Sequence, residues 1–137
     1  MKFTLEVVCV PVADIDRAKA FYADKMGFEL DFDTDTGTVR VIQLTPPGSG
    51  CSIQIGTGIT AMTPGSLDGL QLVVADLDSA HAALTARGVE VSDIQVYGRN
   101  GLRLREPDDD LNNVGFCYLA DPDGNRWTIQ QISSREP

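Results

Sequence analysis

The chain is poor in the residues that build metal and redox centres. Its 137 residues include one histidine, His81, and three cysteines, Cys9, Cys51 and Cys117. The cysteines are odd in number and widely spaced, with no CxxC or CxxH pair, so a structural zinc site is not expected. Reduced thiols in a cytoplasmic protein are the natural reading. Cys9 and Cys117 sit in apolar, strand-like runs, where cysteine acts as a small hydrophobe. No run approaches the roughly 20 apolar residues of a transmembrane helix. Residues 1–6 lack the long apolar centre and small-residue cleavage site of a signal peptide. Positive charge is also scarce: 11 Lys and Arg stand against 20 Asp and Glu, a net charge of −9. Such a surface repels phosphate backbones and anionic lipid headgroups, so neither nucleic acid nor a membrane is an expected partner. The same charge confers solubility and would attract a cationic ligand.

What is present is a repeat. Val12-Ala13-Asp14-Ile15-Asp16 recurs as Val74-Ala75-Asp76-Leu77-Asp78. An apolar run precedes each copy and a helical pattern follows it. Two copies are too few for a solenoid and point to two similar modules in one domain. The length suits one domain with a core, and the 42% apolar and 23% charged residues are ordinary for a globular chain. In the first module, strand 5–12 leads into a helix capped by Asp14, with Ile15, Ala18, Phe21, Tyr22 and Met26 as its apolar stripe and Gly27 as its stop. Strands 28–34, 39–45 and 51–56 follow. In the second, strand 70–74 leads into a helix capped by Asp76, with Leu77, Ala80 and Leu84 on one face and Gly88 as its stop. Strands 89–97, 114–119 and 127–132 follow. Residues 98–113 read as a long polar loop, and long loops in compact domains are often functional lids or disordered. Each module is therefore β-α-β-β-β. The expected fold is α+β: two βαβββ modules forming one cupped mixed sheet whose open face can take a small molecule. The expected layout is a single domain over 1–137, with module one at 1–57, a linker at 58–68 and module two at 69–134.

The run Val10-Pro11-Val12-Ala13-Asp14-Ile15-Asp16-Arg17-Ala18-Lys19-Ala20-Phe21-Tyr22, closing at Met26-Gly27-Phe28, resembles the opening of glyoxalase/bleomycin resistance protein/dioxygenase (vicinal oxygen chelate) proteins. Asp121-Pro122-Asp123-Gly124-Asn125-Arg126-Trp127-Thr128-Ile129-Gln130-Gln131 resembles their closing motif. Asp-Pro-Asp-Gly alone is usually only a tight turn. The two motifs around an internal repeat are more specific, and the resemblance covers nearly the whole chain. It implies a paired βαβββ fold with a cupped site, and often a homodimer with sites between subunits. In metal-dependent members it implies four strand ligands. One lies seven residues before the Asp of Val-x-Asp, usually His or Gln, and its second-module counterpart is usually His. The other two are Glu or Gln on the last strand of each module.

Carried over residue by residue, those positions are Val7, Gly69, Gln54 and Thr128. Matching the two module ends directly puts Gln130 opposite Gln54 instead of Thr128. Either way, the weak candidate Gln54 is the main oxygen donor, and amides bind transition metals poorly. His81 lies within the second helix, away from the ligand strands, and reads as a solvated or edge residue. Glu6 points to the face opposite Val7. No metal or other cofactor is expected, and no catalytic residue is identifiable. By strand alternation Val7, Cys9, Gln54, Gln71, Val73, Thr128 and Gln130 share the open face. Of these, Val7, Cys9, Gln54, Gln71, Thr128 and Gln130 are the candidate ligand-binding residues, a mixed apolar surface with amides suited to a neutral polar or aromatic molecule. The alternative reading is that the amides satisfy sheet-edge polar groups. Trp127, of opposite parity, belongs to the core. Arg99, Arg103 and Arg105 either meet a ligand or pair with Glu106 and Asp108, Asp109 and Asp110.

Three functions remain open on these residues. The first is a metal-free small-molecule binder resembling the family's antibiotic-sequestering branch. The second is a glyoxalase-like lyase, isomerase or dioxygenase with relocated ligands, for instance Glu106, Asp108, Asp109 or Asp110, or with a loop carboxylate as general base. The third is an accessory domain without a selective ligand.

Overall fold

The computed structural model describes residues 1–135. Two compact units emerge from it. The first comprises Met1–Leu67 with Asp121–Asn125; the second comprises Asp68–Ala120 with the chain from Arg126 onward. The fold is α+β: the first unit is one βαβββ module, and the second is a βαβββ module with one further strand.

In the first unit, β1 (Val7–Cys9) leads to α1 (Ile15–Ala20), then β2 (Glu29–Asp35), β3 (Arg40–Thr45) and β4 (Ser52–Gly56). The sheet order is β1-β4-β3-β2, with β1 parallel to β4 and the other pairs antiparallel. The Asp14 carboxylate caps α1 by accepting the Arg17 N–H. The helix continues as a π turn, Phe21–Lys25, closed by the Met26 N–H on the Phe21 carbonyl. Phe21 and Tyr22 are both buried, as the i, i+3, i+4 spacing from Ala18 places them on one face. Ala18, Ile42, Leu44, Ile53 and Ile55 form the core between helix and sheet. Burying each large aliphatic side chain contributes roughly 1.5–3 kcal/mol before entropy is counted.

In the second unit, β5 (Asp68–Val74) leads to α2 (Leu77–Ala86), then β6 (Gln95–Gly98), β7 (Gly101–Leu104), β8 (Gly115–Ala120) and β9 (Arg126–Gln131). The order is β5-β9-β8-β6-β7. Asp76 caps α2 through the Ser79 N–H. Both helices stop at glycines in the left-handed region, Gly27 at φ 76° and Gly88 at φ 84°. Leu77, Leu84, Cys117, Leu119, Trp127 and Ile129 are buried, so Trp127 and the helix stripes pack as their periodicity predicts.

Three elements depart from expectation. The first strand is only Val7–Cys9, not 5–12, although the Ser52 N–H still reaches the Glu6 carbonyl. The strand expected at 89–97 is confined to Gln95–Gly98; Val89 and Ile94 are buried outside it. Residues 98–113 are not wholly irregular, because β7 forms a two-residue hairpin with β6 across Arg99-Asn100. The rest of that segment is anchored: Arg103 grips the Asp109 carboxylate with two 2.8 Å bonds, and the same carboxylate accepts the Glu106 N–H. Within residues 58–68, the Gly65 N–H bonds to the Pro11 carbonyl and the Leu67 N–H to Asn125 Oδ1.

Candidate functional site

Each sheet has one face toward its helix and one away from it. In the four-stranded sheet, Cys9 registers with Gln54 and Gln54 with Gln43; Val7 registers with Ser52. Alternation places all five on the face away from α1. A bulge between Leu30 and Phe32 leaves Asp31 as the extra residue of β2, and its side chain reaches this same face. There the polar groups form one chain. Gln54 Nε2 donates to Gln43 Oε1 at 3.0 Å, and Gln43 Nε2 donates to Asp31 Oδ2 at 3.2 Å. Thr45 Oγ1 donates to the same Asp31 oxygen and lies 2.6 Å from Ser52 Oγ.

The five-stranded sheet carries a different surface. Gln71 registers with Thr128, Thr128 with Tyr118, and Val73 with Gln130. Phe116 lies between Gln130 and Gln95, and Tyr97 pairs with Leu102. Gln71 Nε2 donates to Gln130 Oε1 at 2.5 Å, and Gln130 Nε2 donates to the Asn113 carbonyl at 2.8 Å. Apolar groups dominate the rest. Tyr97 is 61% exposed, Leu102 47% and Val73 45%, while Phe116 and Tyr118 are half-buried.

The candidates from sequence therefore fall into two sets. Val7, Cys9 and Gln54 lie on the first sheet; Gln71, Thr128 and Gln130 lie on the second. Strand pairing also settles the register of β9. Cys9 and Gln71 occupy the same place in the repeat, and their neighbours are Gln54 and Thr128. Thr128, not Gln130, is the counterpart of Gln54. The residues missed were Asp31, Gln43 and Thr45, and Tyr97, Phe116, Tyr118 and Leu102. Two signals could have found the second group. Gly101-Leu102-Arg103-Leu104 alternates as a strand does, and it follows a short Gly-Arg-Asn-Gly turn. No pattern reveals the bulge that parts Asp31 from Asp33.

The four positions that carry metal ligands in metal-dependent relatives do not fit a divalent ion here. Val7 and Gly69 have no donor atom, and Gly69 falls in the bulge between Asp68 and Leu70. Gln54 and Thr128 offer one amide and one hydroxyl. Among the described residues no group of three or more His, Cys, Asp or Glu is placed to hold a metal. Asp109 is held by Arg103, whose guanidinium bonds keep its carboxyl well below the usual range. Asp110 accepts the Asn112 N–H. His81 Nε2 lies 3.0 Å from the Ser92 carbonyl, beside a cavity of about 360 Å³ also lined by Asp78, Asp93, Ile94, Leu104 and Arg105. Arg105 pairs with Asp78 on α2 rather than with the loop acids. Cys117 is fully buried, and that burial pushes its thiol up to about 11, so it is inert at neutral pH.

The closing motif has a structural role. Asp121 is buried; its Oδ1 accepts the N–H groups of Asp123, Gly124 and Asn125. Its Oδ2 accepts the Tyr22 hydroxyl at 2.6 Å and Asn125 Nδ2 at 2.8 Å. Asn125, wholly buried, also donates to the Pro11 carbonyl. Asp123 accepts the Ala13 N–H and pairs with Arg17. The turn thus staples the end of β1 and the helix that follows it.

The chain belongs to the Glyoxalase/Bleomycin resistance protein/Dioxygenase superfamily, whose model matches residues 4–129. Among solved structures it is similar to TnmS3, an antibiotic binding protein from Streptomyces sp. CB03234. The identity is 32%, the match covers 96% of this chain and 98% of that one, and the TM-score is 0.74. A glyoxalase/bleomycin resistance protein from the same Streptomyces is also 32% identical, over 93% of this chain and 100% of that one, with a TM-score of 0.71. A superfamily member from Sphaerobacter thermophilus is 25% identical, over 95% and 98%, with a TM-score of 0.72. A comparison with functionally curated proteins gave no match. No helix among the described residues is long and apolar enough to cross a membrane.

Proposed function

We propose that this chain binds a polar aromatic small molecule of the antibiotic type and acts by holding it, without a catalytic metal. The observation that carries this reading is the open face of the five-stranded sheet. Tyr97, Phe116, Tyr118 and Leu102 offer ring-stacking and apolar area, and Gln71, Gln130 and Thr128 offer hydrogen bonds that fix orientation. Exposed apolar groups clustered on one sheet face mark a binding surface more often than a solvated one. The similarity to an antibiotic binding protein supports the same reading. A lyase, isomerase or dioxygenase would need donors that the ligand positions lack, and the acids of the loop are engaged in part by Arg103 and backbone N–H groups. We further propose that the protein is a cytoplasmic homodimer; sedimentation equilibrium giving twice the chain mass would support the dimer, and a monomer mass would refute it.

Calorimetric titration with a panel of aromatic polyketide and quinone antibiotics tests the function. A hit with micromolar or tighter affinity is expected, weakened about tenfold when Tyr97→Ala and Leu102→Ala are combined, a loss of about 1.4 kcal/mol. Turnover of any panel member in the presence of a divalent metal would replace this reading with an enzymatic one.

A further inference from the structure

We infer that Asn100, at the tip of the β6–β7 hairpin, is a site of spontaneous deamidation, and that the change rewrites the turn which sets Tyr97 opposite Leu102. The chemistry is the chain's own and does not depend on what the sheet face binds.

The sequence holds four asparagines, Asn100, Asn112, Asn113 and Asn125. Two of them have fixed side chains. Asn125 is wholly buried; its oxygen accepts the Leu67 N–H, and its nitrogen donates to the Pro11 carbonyl and to Asp121. Asn112 accepts the Ser133 and Ser134 N–H groups and donates to the Ser134 carbonyl. Asn113 precedes Val114, whose branched side chain shields the next backbone nitrogen and whose N–H bonds to the Leu111 carbonyl. Asn100 differs on each count. It is exposed, its side chain has no hydrogen bond among the described residues, and glycine follows it. Gly101 lies at φ 101°, and the place of its missing Cβ has no atom within 4 Å beyond its chain neighbours, so its nitrogen is unshielded.

The reaction needs only water. The Gly101 nitrogen, its proton taken by solvent hydroxide, attacks Asn100 Cγ. The N–Cγ bond forms, the Cγ–Nδ2 bond breaks, and ammonia leaves. Water then opens the cyclic imide at either carbonyl, giving aspartate or isoaspartate. Nothing is oxidised or reduced: a water enters and an ammonia departs. Asparagine is a thermolabile residue for this reason. Gly98 pairs with Gly101 in the last rung of the ladder, so the attack waits on local opening there. The consequence exceeds the added negative charge. Turn type and loop length fix the register of a hairpin. Isoaspartate routes the backbone through an extra carbon in a two-residue loop, and the next rung inward joins Tyr97 to Leu102. Both side chains are exposed, so the change reaches the apolar surface of the second sheet.

The test holds the full chain in warm, mildly alkaline buffer over several weeks. Peptide mass spectrometry is expected to find the Asn100 amide converted to acid in most molecules, as separable aspartate and isoaspartate forms. Asn112, Asn113 and Asn125 should keep their amides. Asn100→Gln should remove the change, because its imide ring is one carbon larger and closes slowly. The backbone amide resonances of Tyr97 and Leu102 should shift in aged wild type and stay fixed in aged Asn100→Gln. An intact Asn100, conversion spread evenly over the four asparagines, or unmoved Tyr97 and Leu102 resonances in the converted protein would overturn the inference.

Discussion

Replacing Tyr22 with Phe removes one oxygen and leaves its ring contacts intact, edge-on to Phe21 at 5.1 Å and stacked on Phe28 at 5.7 Å between centroids. The lost bond is short, 2.6 Å, buried, and made to a carboxylate oxygen of Asp121. Tyr22 is wholly buried and Asp121 is 5% exposed, so water cannot readily replace the hydroxyl. Hydrogen bonds to charged groups contribute roughly 1.5–3 kcal/mol net. Asn125 Nδ2 still serves the same oxygen at 2.8 Å, which argues for the lower half of that range. The expected loss is about 2 kcal/mol, or about 7 °C in Tm for a chain of this size. Urea denaturation followed by far-UV circular dichroism and by the fluorescence of Trp127 would measure it. Tyr22→Phe made in an Asp121→Ala background should cost much less, because the partner is already gone. A loss below about 0.5 kcal/mol, or an equal loss in both backgrounds, would refute the claim that this bond staples the closing turn.

Other outcomes follow from the charges and thiols. Arg40 and Lys19 hold the Asp33 carboxyl well below the usual range. A depressed folded-state pKa stabilises above the unfolded value of about 3.9 and is shed as pH falls below it, so the stability difference between wild type and Asp33→Asn should shrink below about pH 4. A difference that instead grows on acidification would contradict the pairing. Alkylation at pH 8 should leave Cys117 unmodified until urea is added, because burial raises its thiol to about 11; mass spectrometry of the peptides decides this. Chelator-treated protein should show no stoichiometric uptake of Zn, Ni, Mn or Fe(II) and no thermal stabilisation by them, and one tightly held equivalent would mean that ligands have been recruited elsewhere.

The repeat, the capping aspartates and the 3.6-residue stripes are local signals. They specified two βαβββ modules, both helix starts and stops, and Trp127 in the core, because each depends on spacing along the chain. The strand 89–97 was overextended because apolar residues such as Val89 and Ile94 can be buried without pairing. The β7 hairpin was overlooked because its arginines made the segment look like a loop, although its leucines alternate with them.

The sequence by itself determined which residues of a regular strand share a face, since side-chain alternation is a property of the strand alone. It also determined what the metal positions lack, since Val7 and Gly69 have no donors in any conformation. Only tertiary structure decided that Gln54 corresponds to Thr128, because register is a relation between strands. Only tertiary structure put Asp31 and Asp33 on opposite faces, because a bulge depends on how one strand mismatches its neighbour. The same holds for the closing turn: Asp-Pro-Asp-Gly announces a bend, but its burial against Tyr22 and Pro11 joins residues about a hundred positions apart, a distance over which no local pattern carries information.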